Sequence, residues 1–309
     1  MPVPLRKRLR RALRALFLRL LVALLGLLPV GLALRAGRFL GRWVHRLAHR
    51  SRELTLTHLG QAFPQLSEAE REALSRACFE SLGEHLLEDL VVRRVERRLN
   101  TWVTLDPESQ EILERAYGSG RGVVLCTGHL GNWELAARAL CRRGFPVTAL
   151  ARRSHDAGIA ALLERFRREG GVELIYRGEP ANARKILATL RRGSALFVLV
   201  DQDLDERSVY VPFFGRDARS VRGPADLALR SGAHLLVGWI HREAPGEGHR
   251  ISIRELAVEP TGDREADVLR LTAEIQATLE EAIRAAPEQW VWFHRRWYRR
   301  PGEESTVGD

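Results

Sequence analysis

His129 and Glu134 stand five positions apart in the stretch GHLGNWE (128–134), directly behind the apolar run GVVLC (122–126). On a continuous helix five residues turn through about 500°, which would set the two side chains on different faces. With His129 in a loop at a strand end and Glu134 in the first turn of the following helix, the carboxylate reaches back to one ring nitrogen. It then fixes the tautomer and leaves the other nitrogen as a general base. The backbone N–H groups at that helix start, around Gly131 to Trp133, are placed for a developing oxyanion, and Asn132 in the same turn is a candidate contact to substrate. A structural histidine that happens to follow a strand is the competing reading, and spacing alone does not separate the two.

Other chemistries lack their residues. The chain has no GxSxG elbow, no P-loop and no HExxH. GSGRG (118–122) precedes its strand, so it is not a dinucleotide-binding turn. No second histidine or cysteine lies near enough in sequence to make a metal site with His129; His155, His234, His241 and His294 are scattered. No metal and no bound cofactor is expected.

The elements that must position His129 follow from periodicity. Apolar runs at 122–126, 146–150, 172–176, 195–200 and 234–240 alternate with helical patterns at about 132–143, 157–169, 181–192 and 221–231. This predicts an α/β fold with a mostly parallel central sheet covered by helices on both faces. HRISIREL (249–256) alternates and reads as an antiparallel edge strand; 263–286 reads as an amphipathic helix. Upstream, residues 36–63 read as helix, Asp106-Pro107 opens another, and Ser67 with Glu70 forms a capping box before a long helix. On that helix Leu74, Cys78, Leu82, Leu86 and Leu90 are expected to make the buried face, and His85, Glu88 and Asp89 to be surface residues.

In open α/β sheets ligands bind at the carboxyl ends of the strands. Asp201, Gln202 and Asp203 follow the run at 195–200 and so share that edge with His129. Phe213-Phe214-Gly215 puts two aromatics at a glycine turn, to line an apolar slot or to plug the core. PEQWVWFHRRWYRRP (287–301) mixes aromatics with arginines, a pairing suited to a bilayer interface or an anionic headgroup.

Charge is uneven. Residues 1–52 hold 13 of the 49 Lys/Arg and no acid, leaving 36 basic against 39 acidic residues beyond, so the net +10 originates at the N-terminus. There the basic residues interleave with leucine, which points to an anionic membrane surface; nucleic acid is disfavoured because no aromatics alternate with the charges. Leu20 to Leu34 are 15 uncharged residues, extended to 20 if Arg19 snorkels from Ala15 onward. The expected organisation is a membrane anchor over 1–52, spanning or dipping in, a catalytic domain over 53–300, and a frayed tail over 301–309. Cys78, Cys126 and Cys141 form no CxxC and read as reduced residues of a cytosol-facing protein.

GHLGNWE resembles the H-x4-D/E motif of the glycerolipid and lysophospholipid acyltransferases. With HLGQAFP, DQD, VPFFG and PEQWVWFHRRW in that order, the chain after about residue 53 resembles their lipid A biosynthesis branch, the late lauroyl/myristoyl acyltransferases. The resemblance implies a membrane-bound transferase that moves a fatty acyl chain from acyl carrier protein or coenzyme A to a hydroxyl of a lipid A precursor or related glycolipid. It implies His129 as catalytic base, Glu134 as its partner, and no cofactor beyond the acyl thioester co-substrate. Asp201 matches an acidic position of the family, and either Arg165 or Arg167 a recurrent arginine. The substrate-binding candidates are then Asn132, Arg165, Arg167, Asp201, Gln202, Phe213, Phe214 and Gly215. The implied location is the inner membrane with the catalytic domain facing the cytoplasm. His58 departs from the asparagine common at its position. A membrane thioesterase using the same pair and a non-enzymatic lipid-binding protein are the alternative functions.

Overall fold

A computed structural model describes residues 24–152, 157–178, 181–204 and 207–299. Seven strands form one sheet: β1 (Val103–Leu105), β2 (Val123–Thr127), β3 (Val147–Ala151), β4 (Glu173–Tyr176), β5 (Ala195–Leu199), β8 (His234–Arg242) and β9 (His249–Leu256). Two more, β6 (Ser208–Phe213) and β7 (Arg216–Val221), make a separate antiparallel hairpin. The sheet order is β1-β9-β8-β2-β5-β3-β4. Strands β8, β2, β5, β3 and β4 run parallel, as the all-apolar runs predict; β2 is buried along its whole length. β9 is antiparallel to β8, as expected, but it is not an edge: β1 pairs with it outside. A three-residue strand has too short an alternation to announce itself.

The longer helices are α1 (Val30–Leu47), α2 (His49–Ala62), α3 (Glu68–Leu90), α4 (Pro107–Gly118), α5 (Trp133–Arg142), α6 (Ala157–Glu169), α7 (Asn182–Arg191), α8 (Gly223–Ser231) and α9 (Arg264–Ala285). Residues of α4 and α5 join one core on one face of the sheet; α8 and α9 join a second on the other. Ser67 and Glu70 cap α3 reciprocally, with Ser67 N–H donating to Glu70 Oε2 at 2.8 Å and Glu70 N–H to Ser67 Oγ at 3.3 Å.

Three expectations change here. The leucines of α3 do not share one buried face: Cys78 is buried, while Leu86 is exposed. A spacing of four advances about 400°, so each step drifts by about 40° and five such residues wind around the helix. The buried residues of α3 instead include Ser75, Phe79, Glu84, His85 and Glu88, so His85 and Glu88 are interior and Asp89 is half-buried. Finally, no helix among the described residues is long and apolar enough to cross a membrane. Within the described part of the uncharged stretch, 24–34, a turn over 26–28 precedes α1, which begins behind Pro29. α1 then packs on α3 so tightly that a Cβ on Gly37 would lie 2.3 Å from the carbonyl oxygen of Gly83. Arg42 Nε bonds Glu80 Oε1 across this contact at 2.8 Å. The basic head over 1–23 and the tail over 301–309 lie outside the described residues.

Candidate active site at the carboxyl end of the sheet

The site starts from strand register. β2 and β5 pair in parallel with Thr127 opposite Leu199, and Val200 N–H donates to Thr127 O at 2.9 Å. Two residues further on each chain, His129 and Asp201 emerge side by side. Gly128 makes their approach possible, since a Cβ there would stand 3.0 Å from Asp201 Oδ2. Gly131 turns the loop at φ +60°, against the backbone of Ile240, where a Cβ would meet the carbonyl oxygen at 2.0 Å. Asn132 then caps α5, its Oδ1 accepting from Leu135 N–H at 3.0 Å.

The carboxylate that His129 uses is Asp201. His129 Nδ1 lies 2.8 Å from Asp201 Oδ1, and the His129 backbone N–H donates to Oδ2 at 2.6 Å. The Trp290 indole N–H adds a third bond to Oδ2 at 2.7 Å. Burial alone would raise the pKa of this enclosed carboxyl, but the His129 ring and its backbone N–H outweigh that and hold Asp201 well below the usual carboxylate range. Ionised Asp201 accepts the Nδ1 proton of a neutral ring, so Nε2 keeps its lone pair. Around that ring stand Trp133 at 4.8 Å and His294 at 4.6 Å between centroids, with Gln202 Nε2 at 3.4 Å from His129 Nε2.

The expected His129–Glu134 hydrogen bond is therefore corrected. Glu134 is the second residue of α5, and its carboxylate is held by Arg167 of α6: Arg167 Nε donates to Glu134 Oε2 at 2.8 Å, and a second guanidinium nitrogen bonds Oε1. The two candidate arginines differ in their contacts. Arg167 meets the site loop's helix, whereas Arg165 is exposed and pairs with Glu169 one turn away.

Other candidates fall in the interior. Phe213 and Phe214 are buried and pack with Trp290, Trp292 and Trp297, so they plug the core and do not line a slot. Phe214 (φ +53°) and Gly215 (φ +69°) form the two-residue turn of the β6–β7 hairpin. The C-terminal aromatic–arginine stretch is likewise largely interior. Trp290, Trp292 and Arg296 are buried, and Arg296 bonds the Arg219 carbonyl, Ser220 and Gln276. This segment also clamps the site loop. Gly131 N–H donates to Gln289 O at 3.0 Å, and Val291 N–H to His129 O at 3.2 Å. Its composition resembles an interfacial belt; its contacts do not.

Beneath the loop lies a polar cluster that sequence reasoning missed. Glu88 Oε2 accepts from Arg242 at 2.7 Å and from Asn132 Nδ2 at 3.0 Å, and lies 2.8 Å from His249 Nε2; Glu88 Oε1 accepts from Trp102 Nε1 at 2.7 Å. Asn132 also donates to Asp89 Oδ1 at 2.9 Å. The cluster thus anchors the residue that caps α5. The signal available was the density of ionisable residues in ESLGEHLLEDL (80–90).

A family model for bacterial lipid A biosynthesis acyltransferases matches residues 4–299. The lipid A biosynthesis palmitoleoyltransferase of Escherichia coli (strain K12) is 30% identical over 286 residues, covering 91% of this chain and 89% of that protein. The lipid A biosynthesis lauroyltransferase of the same strain is 27% identical over 277 residues, covering 89% and 88%. The phosphatidylinositol mannoside acyltransferase of Mycobacterium tuberculosis (strain ATCC 25618 / H37Rv) is 29% identical over 187 residues, covering 60% and 57%.

Proposed function

We propose a specific reaction from one premise: the chain belongs to the bacterial lipid A biosynthesis acyltransferase family. It is an acyltransferase, and our finer reading is that it moves a fatty acyl chain from a thioester of acyl carrier protein or coenzyme A to a hydroxyl of a lipid A precursor or related glycolipid. The names of the relatives that align along most of the chain support this acceptor class.

The observation that carries the mechanism is the division of labour on one imidazole. Asp201 occupies Nδ1 from a buried position, the His129 side chain keeps 17% of its surface exposed, and Nε2 is not taken by a carboxylate. His129 Nε2 takes the proton of the acceptor hydroxyl as that oxygen attacks the thioester carbonyl. Asp201 stabilises the imidazolium that forms. Collapse of the tetrahedral intermediate breaks the C–S bond, and the imidazolium returns its proton to the departing thiolate. General-base assistance of this kind contributes about 10²–10⁴-fold. Glu134 acts at one remove, by fixing Arg167.

Membrane contact belongs to the same proposal, with the cytoplasmic face of the inner membrane as the location. Its support is α1, where Leu32, Phe39, Leu40, Trp43 and Leu47 are exposed along one stripe, with Arg35 and Arg46 also exposed. Such a helix lies in the interfacial plane without crossing.

The test is a transfer assay with the full chain in detergent, a lipid A precursor, and acyl carrier protein or coenzyme A thioesters in parallel, read by mass spectrometry. A product heavier by one acyl group, lost with His129→Ala, is expected. Acceptor-independent release of free fatty acid would make the protein a hydrolase. Salt-sensitive vesicle binding without turnover would make it a lipid-binding protein.

A further inference from the structure

The catalytic imidazole has a second pair of polar neighbours that the general-base scheme leaves without a task. Gln202 follows Asp201 at the end of β5. Its amide nitrogen lies 3.4 Å from His129 Nε2, the nitrogen that takes the proton, and 3.0 Å from both ring nitrogens of His294. The residues flanking Gln202 are pinned. Asp201 is held by three donors, and Asp203 by Arg219 at 3.2 Å and by the Arg299 backbone N–H at 3.2 Å. The amide is therefore presented from a rigid strand end, on the reacting side of His129. The alternative oxyanion donor of cationic type, Arg167, already spends two of its nitrogens on Glu134.

Resting on the acyl-transfer reading above, we propose that Gln202 is a catalytic residue, the side-chain donor that stabilises the tetrahedral oxyanion, and that His294 is the positioning residue that aims its amide. The physical logic is a change of acceptor during the reaction. In the resting site the Gln202 N–H points at the lone pair of Nε2. When the acceptor hydroxyl gives its proton to Nε2, that nitrogen becomes a donor and no longer attracts the amide. At that moment the former carbonyl oxygen of the thioester becomes negative and takes the N–H instead. The bond is thus stronger in the transition state than in the ground state, the condition for raising kcat. His294 suits the aiming role because it stays uncharged near neutrality: burial, and then the neighbouring His129 imidazole, push its pKa down to about 4. Its ring accepts from Gln202 and adds no positive charge beside the imidazolium.

The experiment measures kcat and KM for both substrates in Gln202→Ala, Gln202→Glu, His294→Phe and His294→Gln, with His129→Ala as reference and thermal melts for each. Gln202→Ala should lower kcat by about 10²–10³-fold, the scale of losing one oxyanion donor, with both KM values held within about threefold. Gln202→Glu keeps the size but sets a carboxylate against the oxyanion, and should lose at least as much. His294→Phe should lower kcat by roughly tenfold, and His294→Gln, which restores an acceptor, should recover most of that loss; a purely structural role predicts no such rescue. Wild-type kcat in Gln202→Ala alongside an inactive His129→Ala overturns this proposal and leaves the general-base reading standing. A raised KM with unchanged kcat also overturns it, by making Gln202 a binding group. Activity retained in both Gln202→Ala and His129→Ala brings down the underlying reading itself.

Discussion

Two histidine–carboxylate pairs, one in the loop after β2 and one beneath that loop, differ in what surrounds them. His129 Nδ1 meets Asp201 at 2.8 Å, and His249 Nε2 meets Glu88 at 2.8 Å. Both acids are fully buried, and both are held well below the usual carboxylate range against the opposing effect of burial, by the imidazoles and hydrogen-bond donors beside them and, for Glu88, by Arg242. The imidazoles diverge. The His129 side chain is 17% exposed, and its second nitrogen has Gln202 Nε2 as a neighbour at 3.4 Å. His249 is sealed at 0%, and its second nitrogen is buried without a hydrogen-bond partner. Glu88 is saturated by Arg242, Asn132 and Trp102, so its pair has no access and no spare valence. A base needs one ring nitrogen satisfied by an acid and the other left reachable; a structural pair has both enclosed.

That contrast predicts different losses on mutation. Asp201→Asn should lower acyl transfer by roughly 10³–10⁴-fold, the scale seen when the carboxylate of a Ser-His-Asp triad is neutralised, with the near-ultraviolet dichroism of the fold retained. Glu134→Gln, which weakens a pair with Arg167, should cost less. If Glu134→Gln proves the more damaging of the two, Asp201 is not the functional partner of His129.

Glu88→Ala should instead act on stability. Removing one member of a buried ionic cluster strands its partners and typically costs about 3–5 kcal/mol. Chemical denaturation should show that loss, while kcat of the protein still folded changes by less than about tenfold. Equal melting curves for wild type and Glu88→Ala would remove the distinction between the clusters.

The smallest effect is a pH dependence. His294 has its folded pKa pushed from 6.5 down to about 4, so between those values the unfolded chain binds a proton that the fold refuses. The unfolded state binds more protons there, so stability rises with pH across that window and levels above it, by about 3 kcal/mol at most. Asp201, depressed in the fold, adds a loss at still lower pH. Unfolding midpoints from pH 4 to 7 should show a shallower slope in His294→Gln; an unchanged slope would show that another group carries it.

Much of this was legible in the chain. The five apolar runs became five parallel strands because buried strands must be apolar on both sides. His129 stands in the turn after β2, as the run at 122–126 implied, at the sheet edge where such folds place ligands. Its partner was misassigned because Glu134 is the nearest acid in sequence, whereas the pairing obeys the β2–β5 register, which brings residue 201 beside residue 129 and leaves Glu134 to an arginine on another helix. The aromatic C-terminal stretch was read as interfacial because composition carries no direction. Only the fold reveals that His58 Nδ1 bonds the Trp292 carbonyl at 2.7 Å and that Trp290 points into Asp201.

Local information thus determined the elements, their caps and the loop that carries His129, since hydrogen bonding within a helix and alternation along a strand depend on neighbours a few residues apart. Tertiary structure alone decided which acid serves His129, which arginine is locked, and which of two similar imidazole pairs is open. Those outcomes depend on register between strands and on burial, which are properties of residues far apart in the chain.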